Sequence, residues 1–184
     1  MRNGIMQRDI QEVLFTEADL NERIHELGEQ ITADYEGKSL IVVGILKGSN
    51  IFTSDLVRKI NLPLKMDFMA VSSYGNATES TGVVKILKDL DRDIEGEHVL
   101  IVEDIVDSGL TLKYLKDILL TRNPASVKIC TLLDKPARRK ENIKPDYLGY
   151  EVPDEFIVGY GIDYAEHYRN LPYVGILKRE VYEK

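Results

Sequence analysis

The chain has one cysteine, Cys130, within the apolar run SVKICTLL. A lone thiol closes no internal disulfide, so a disulfide scaffold is excluded and Cys130 reads as a small core residue. Long basic runs are also absent. With 24 Lys and Arg against 31 Asp and Glu, the formal charge is −7. That balance excludes a role coating nucleic acid but leaves room for a local anion site. No apolar run is long enough to span a bilayer, and the N-terminus does not look like a signal. The expectation is therefore a cytoplasmic protein with no membrane and no nucleic-acid partner. Internal repeats and low-complexity linkers are missing too. A length of 184 residues with 43% hydrophobic content fits one domain with a substantial core.

Apolar periodicity organises what is there. Thr16 followed by Asp19 forms a capping signal, with Asp in place of the usual Glu or Gln. Leu20, Ile24, Leu27 and Ile31 then recur at helical spacing up to about Tyr35. LIVVGIL (40–46) is a continuous apolar strand ended by KGS, and Ile51, Phe52, Leu56 and Val57 predict a helix after it. Strands are expected over 64–71, over VVKIL, and over 127–133, with SSYGNATESTG (72–82) between the first two. The last third changes character, with YLGYEV, FIVGYGIDY and YVGILK separated by Pro and charged turns. Strands alternating with helices predict an α/β fold, a mostly parallel twisted sheet flanked by helices.

The segment HVLIVEDIVDSGLTLKYLKDILL (98–120) reads as buried strand, acidic turn, helix. In open α/β sheets the ligand crevice lies beyond the carboxyl ends of the strands, where this turn falls. Carboxylates there are costly unless something binds them. Ser108, Gly109 and Thr111 open a helix, whose free N–H groups favour a phosphate. Neither common phosphate loop is present, and Lys47-Gly48-Ser49 has the wrong order for one. Glu103 and Asp104 would repel a lone phosphate. They suit a ligand that carries hydroxyls beside its phosphate, because carboxylates accept hydrogen bonds from a ribose diol. Magnesium would reconcile such a polyanion with an acidic protein.

VLIVEDIVDSGLT (99–111) resembles the phosphoribosyl-pyrophosphate (PRPP) binding motif of the type I phosphoribosyltransferases. GILKGS, SSYG, LLDKP and the block from Lys144 to Lys178 are similar to the hypoxanthine-guanine branch, over nearly the whole chain. The resemblance implies the type I fold as a single domain, 1–184. Its core would span roughly 36–135, with a small hood made from the N-terminal segment and 136–184.

The resemblance also implies roles for particular residues. Glu103 and Asp104 would bind the ribose hydroxyls or a Mg2+ ion, with Asp163 as a further metal contact. The amides and hydroxyls of Asp107, Ser108, Gly109, Leu110 and Thr111 would hold the 5-phosphate. Asp107 would face purine N7 as general base or acceptor. Lys135 would donate to the 6-oxo group, Phe156 would stack on the purine, and the backbone of Ile157 would read the base edge. Asp163 would also lie near the 2-position of guanine. Arg169 would neutralise departing pyrophosphate, and the Lys47–Gly48 peptide, expected to be cis, would turn an N–H toward it. Ser73 and Tyr74 would stand at the base of a lid over the reacting ribose. Substrates and products would be PRPP, hypoxanthine, guanine, pyrophosphate, IMP and GMP, and the assembly a homodimer or homotetramer.

Residue by residue, blander readings compete. A lysine after a strand is usually a solvated loop charge, and Phe156 fits equally well as a core aromatic opening a strand. The three histidines carry no assigned role.

Overall fold

The computed structural model describes residues 5–73 and 84–183. Strand β1 (Ile10–Phe15) leads into helix α1 (Glu17–Asp34). Thr16 and Asp19 exchange side chain-to-backbone hydrogen bonds, the reciprocal box that their spacing predicts. There follow β2 (Leu40–Leu46), α2 (Asn50–Val57), β3 (Leu64–Ser73) and β4 (Val84–Lys88). Next come β5 (His98–Val106), α3 (Leu110–Leu120), β6 (Ser126–Asp134), β7 (Tyr147–Glu151), β8 (Ile157–Val158), β9 (Val174–Leu177) and the one-turn helix α4 (Arg179–Tyr182).

Six strands form one sheet in the order β4-β3-β2-β5-β6-β7, parallel throughout except for antiparallel β4 at one edge. Strand alternation divides the apolar runs between two cores. Leu40, Val42, Leu100 and Val102 meet Leu20, Ile24, Leu27, Phe52 and Leu56 of α1 and α2 on one face. Ile41, Val43, Val99 and Ile101 meet Leu112, Leu115 and Leu119 of α3 on the other. Both faces are covered, so the central strands are apolar without alternation. Cys130 is buried in the first of these cores, and burial pushes its thiol well above the usual range.

A second sheet, β1-β9-β8, is antiparallel and stands apart from the first. One feature departs from the sequence reading and one goes beyond it. The large sheet extends past residue 135, because β7 pairs parallel with β6. The segment before Thr16 is a strand whose partner is β9. Among the described residues, no helix is long and apolar enough to cross a membrane.

Candidate active site

The site lies beyond the carboxyl ends of β2, β5 and β6. Strand β5 continues past its apolar run to Val106 because β6 extends beside it, pairing Glu103 with Thr131 and Val106 with Asp134. Glu103 and Asp104 are therefore strand residues on opposite faces of the sheet. Gly109, at φ +82°, turns the chain into α3. Burial raises the Glu103 carboxyl well above its usual range, with the Asp104 charge adding to the effect, and Glu103 Oε2 is buried without a partner. Asp104 is likewise pushed up to about 6 by burial, against a hydrogen bond from the Ile105 N–H and the Arg169 charge. Asp107 Oδ1 is a second buried atom with no partner.

A small recess of about 130 Å³ lies over the turn, lined by Glu103, Asp107, Ser108, Gly109 and Thr111. Beside it is a cavity of about 410 Å³, whose walls include Asp107, Lys135, Phe156, Ile157, Ile162 and Asp163. Ile105 and Asp107 line both. Lys135 is 6% exposed and donates to the Glu155 carbonyl at 2.8 Å. Burial holds its ammonium below the ordinary lysine range, with the Asp107 carboxylate opposing. The Phe156 ring stacks on Tyr182 of α4 with centroids 4.8 Å apart, and meets the edge of Tyr164 at 5.3 Å.

On the β2 side, Gly48 packs against Asp104. Gly161, at φ +102°, packs against the Gly48 carbonyl. The cis peptide of this turn joins Leu46 to Lys47, which corrects the expectation for Lys47–Gly48. Gly48 instead meets a different demand, the close approach of Asp104, which a Cβ would block. Arg169 donates to the Gly161 carbonyl at 2.8 Å, and its Nη2 lies 2.9 Å from Asp163 and 3.2 Å from Glu166. The second oxygen of Glu166 accepts from Lys47 at 2.8 Å.

The sequence model of the phosphoribosyl transferase domain matches residues 15–165. The hypoxanthine-guanine phosphoribosyltransferase of Bacillus subtilis is 54% identical over 179 residues, covering 97% of this chain and 99% of that one. The chain belongs to the hypoxanthine-guanine phosphoribosyltransferase family. A crystal structure of a hypoxanthine phosphoribosyltransferase from Staphylococcus aureus shares the fold at a TM-score of 0.97 and 54% identity, each chain fully covered. A bifunctional TilS/HprT protein of Listeria innocua is 58% identical over 182 residues, and the chain spans 28% of its length.

Against this family pattern, the structure brings Asp107, Lys135, Phe156, Ile157 and Asp163 around one cavity. Glu103, Asp107, Ser108, Gly109 and Thr111 surround the recess. Leu110 begins α3, and its N–H reaches Ser108 Oγ at 3.4 Å. Ser73 is the last residue of β3, paired with Val84. Tyr74 and the expected lid up to Gly82 lie outside the described residues.

The three expected metal contacts are not gathered into one set. No group of three or more His, Cys, Asp or Glu residues suited to a metal occurs among the described residues. The strand alternation that separates Glu103 from Asp104 is the reason, and Asp163 is engaged with Arg169. A magnesium ion bound through one or two carboxylates and a phosphate ligand does not need an all-protein cage, and the unpartnered Glu103 oxygen fits that use.

Sequence reasoning passed over Arg138, Arg139, Glu166 and Tyr182. Arg138 Nε donates to Asp154 at 2.5 Å, and its Nη1 stands 4.0 Å from Asp107. The two arginines after LLDKP were the available signal. Glu166 and Tyr182 had none, because their contacts are made only by the folded chain.

Proposed function

We propose that the chain transfers the 5-phosphoribosyl group of PRPP to hypoxanthine or guanine, giving IMP or GMP and pyrophosphate. The observation that carries this reading is that Asp107 lines both the phosphate-sized recess and the larger cavity holding Lys135 and Phe156. A ribose held across Asp107 would have its phosphate in the first and face a base in the second.

In the reaction a purine ring nitrogen bonds to C1 of the ribose as the C1–oxygen bond to pyrophosphate breaks. Positive charge spreads over the ribosyl ring and then over the purine. The proton at N7 passes to the Asp107 carboxylate, whose Oδ1 has no other partner. Phe156 stacks on the base, the Ile157 backbone meets its edge, and the Lys135 ammonium donates to O6. An ammonium has donors only, so it favours a 6-oxo over a 6-amino purine. Asp163 lies near the 2-position. Arg169, with a buried Nε that has no partner, receives the pyrophosphate beside the Lys47–Gly48 turn. Glu103 and Asp104 would each accept from a ribose hydroxyl, and either could share a Mg2+ ion with the ligand, which would supply charge neutralisation. Ser73 and Tyr74 belong to the closing segment that keeps water from the reacting carbon. We assign all 184 residues to one catalytic domain, working in the cytoplasm as a homodimer or homotetramer.

The test is nucleotide formation by purified protein with PRPP and magnesium, offering hypoxanthine, guanine, xanthine and adenine separately. IMP and GMP without AMP are expected. No product from any base, despite measurable PRPP binding, would overturn the reading.

A further inference from the structure

The turn that faces the phosphate-sized recess is held from behind by a single side chain. Arg139 donates through Nε to the Asp107 carbonyl at 3.1 Å, through Nη1 to the Ile143 carbonyl, and through Nη2 to the Asp134 carboxylate. Its side chain is 16% exposed and that of Asp134 10%. The backbone that carries Arg139 continues the grip, since the Lys140 and Glu141 N–H groups both donate to the Ser108 carbonyl, at 2.9 and 3.2 Å. The Arg139 stem also closes on the turn, with Cδ 3.1 Å from where a Gly109 Cβ would stand.

Peptide geometry gives these contacts a consequence on the other side. In a trans peptide the C=O and the following N–H point in opposite directions. The peptides after Asp107 and Ser108 are trans. Pulling the Asp107 carbonyl outward to Arg139 turns the Ser108 N–H inward. Holding the Ser108 carbonyl on Lys140 and Glu141 does the same for the Gly109 N–H. Neither N–H has an acceptor among the described residues. Both then serve the recess lined by Ser108, Gly109 and Thr111, beside the start of α3.

We propose that Arg139 is the positioning residue for the 5-phosphate. It makes the enzyme selective for 5-phosphorylated ligands by fixing two peptide planes of the turn, without touching the substrate. This deepens the phosphoribosyl-transfer reading and rests on it. The guanidinium is neutralised by Asp134, so its contribution is orientation rather than long-range attraction. Its planar fork reaches three acceptors from three separate nitrogens, a wider span than the donors of a single ammonium nitrogen cover.

Calorimetry with Arg139→Lys provides the test. Lysine keeps Asp134 paired but releases the Asp107 and Ile143 carbonyls. Affinity for GMP and PRPP is expected to fall by about tenfold or more, the scale of losing hydrogen bonds to a charged donor. Pyrophosphate, received at Arg169, should keep its affinity within about twofold, a difference too small to reflect a lost hydrogen bond. Arg139→Gly should recover GMP affinity when guanidinium chloride is added at low concentration. If Arg139→Lys does not fold, the double variant Asp134→Asn with Arg139→Met removes the buried charge along with its partner, and the same selective loss is expected. Wild-type affinity for GMP in the variant overturns the inference, as does an equal loss for GMP and pyrophosphate. Wild-type protein that binds neither GMP nor PRPP overturns the transferase reading together with it.

Discussion

Gly48 packs so closely on Asp104 that a Cβ at position 48 would lie 1.9 Å from Asp104 Oδ2. The obstructing atoms belong to a short side chain that can rotate, so Gly48→Ala should fold with a melting temperature near that of the wild type. The Asp104 carboxylate, however, would swing out of the crevice. PRPP affinity should fall by about tenfold or more, as expected when a charged hydrogen-bond acceptor is withdrawn. Calorimetry with PRPP and magnesium checks this. Unchanged affinity in a folded variant would remove Asp104 from the ribose site.

Lys135 is buried at the end of β6 with the Glu155 carbonyl as its acceptor at 2.8 Å. Lys135→Ala empties the end of the base cavity of its cationic donor. The ratio of kcat/KM for hypoxanthine over adenine should collapse by at least about a hundredfold, since polar recognition carries discrimination of that order or more. Rates with both bases, measured at saturating PRPP, settle the point. If adenine is rejected as before, the backbone around Ile157 carries the choice.

Asp67 in β3 tests what holds β3 to the segment that follows β4. Its side chain is 4% exposed and accepts from the Phe68 N–H at 2.7 Å, the Asp91 N–H at 2.9 Å and Lys88 at 3.4 Å. Burial alone would push the carboxyl up, but those N–H groups and the Lys88 ammonium outweigh it and hold it below its ordinary 3.8. A depressed carboxyl stabilises the fold above its unfolded value, and that stabilisation is lost as pH falls through the folded one. Asp67→Asn should therefore cost about 1–3 kcal/mol near neutral pH. The gap from wild type should narrow as pH drops below 3.8. Denaturant melts across that range check it, and a gap independent of pH would mean that the charge is not what matters.

The central part of this molecule was legible because its signals are local. The apolar runs of β2 and β5, the Thr16 cap and the Gly109 turn each carry their cause within a few residues. What escaped depends on distant partners. Strand β1 is mostly exposed and does not alternate, and only β9 makes it a strand. Glu103 and Asp104 read as a turn because nothing near them shows that β6 extends alongside. Arg139 meets Asp107 across 32 residues, and Lys47 meets Glu166 across 119. Long polar side chains choose such partners only once the chain has folded. Family resemblance pointed to Asp107, Lys135 and Arg169, but not to the contacts that hold them in place.

Asp107 stands where the two cavities join, with Oδ1 buried and unpartnered and Oδ2 4.0 Å from Arg138. Asparagine has nearly the same shape but cannot take up a proton. The backbone of the turn at Asp107 and Ser108 is held by Arg139, Lys140 and Glu141 through carbonyls, not through the Asp107 carboxylate. Asp107→Asn should therefore leave PRPP affinity within about threefold, the range of a lost weak contact. Turnover should drop by roughly a hundredfold to ten-thousandfold, the usual contribution of a positioned general base. Steady-state rates, read beside a PRPP titration, separate the possibilities. Near-normal turnover would show that the N7 proton leaves by another route. A parallel loss of PRPP affinity would place Asp107 in the binding of the ribose rather than in the proton transfer.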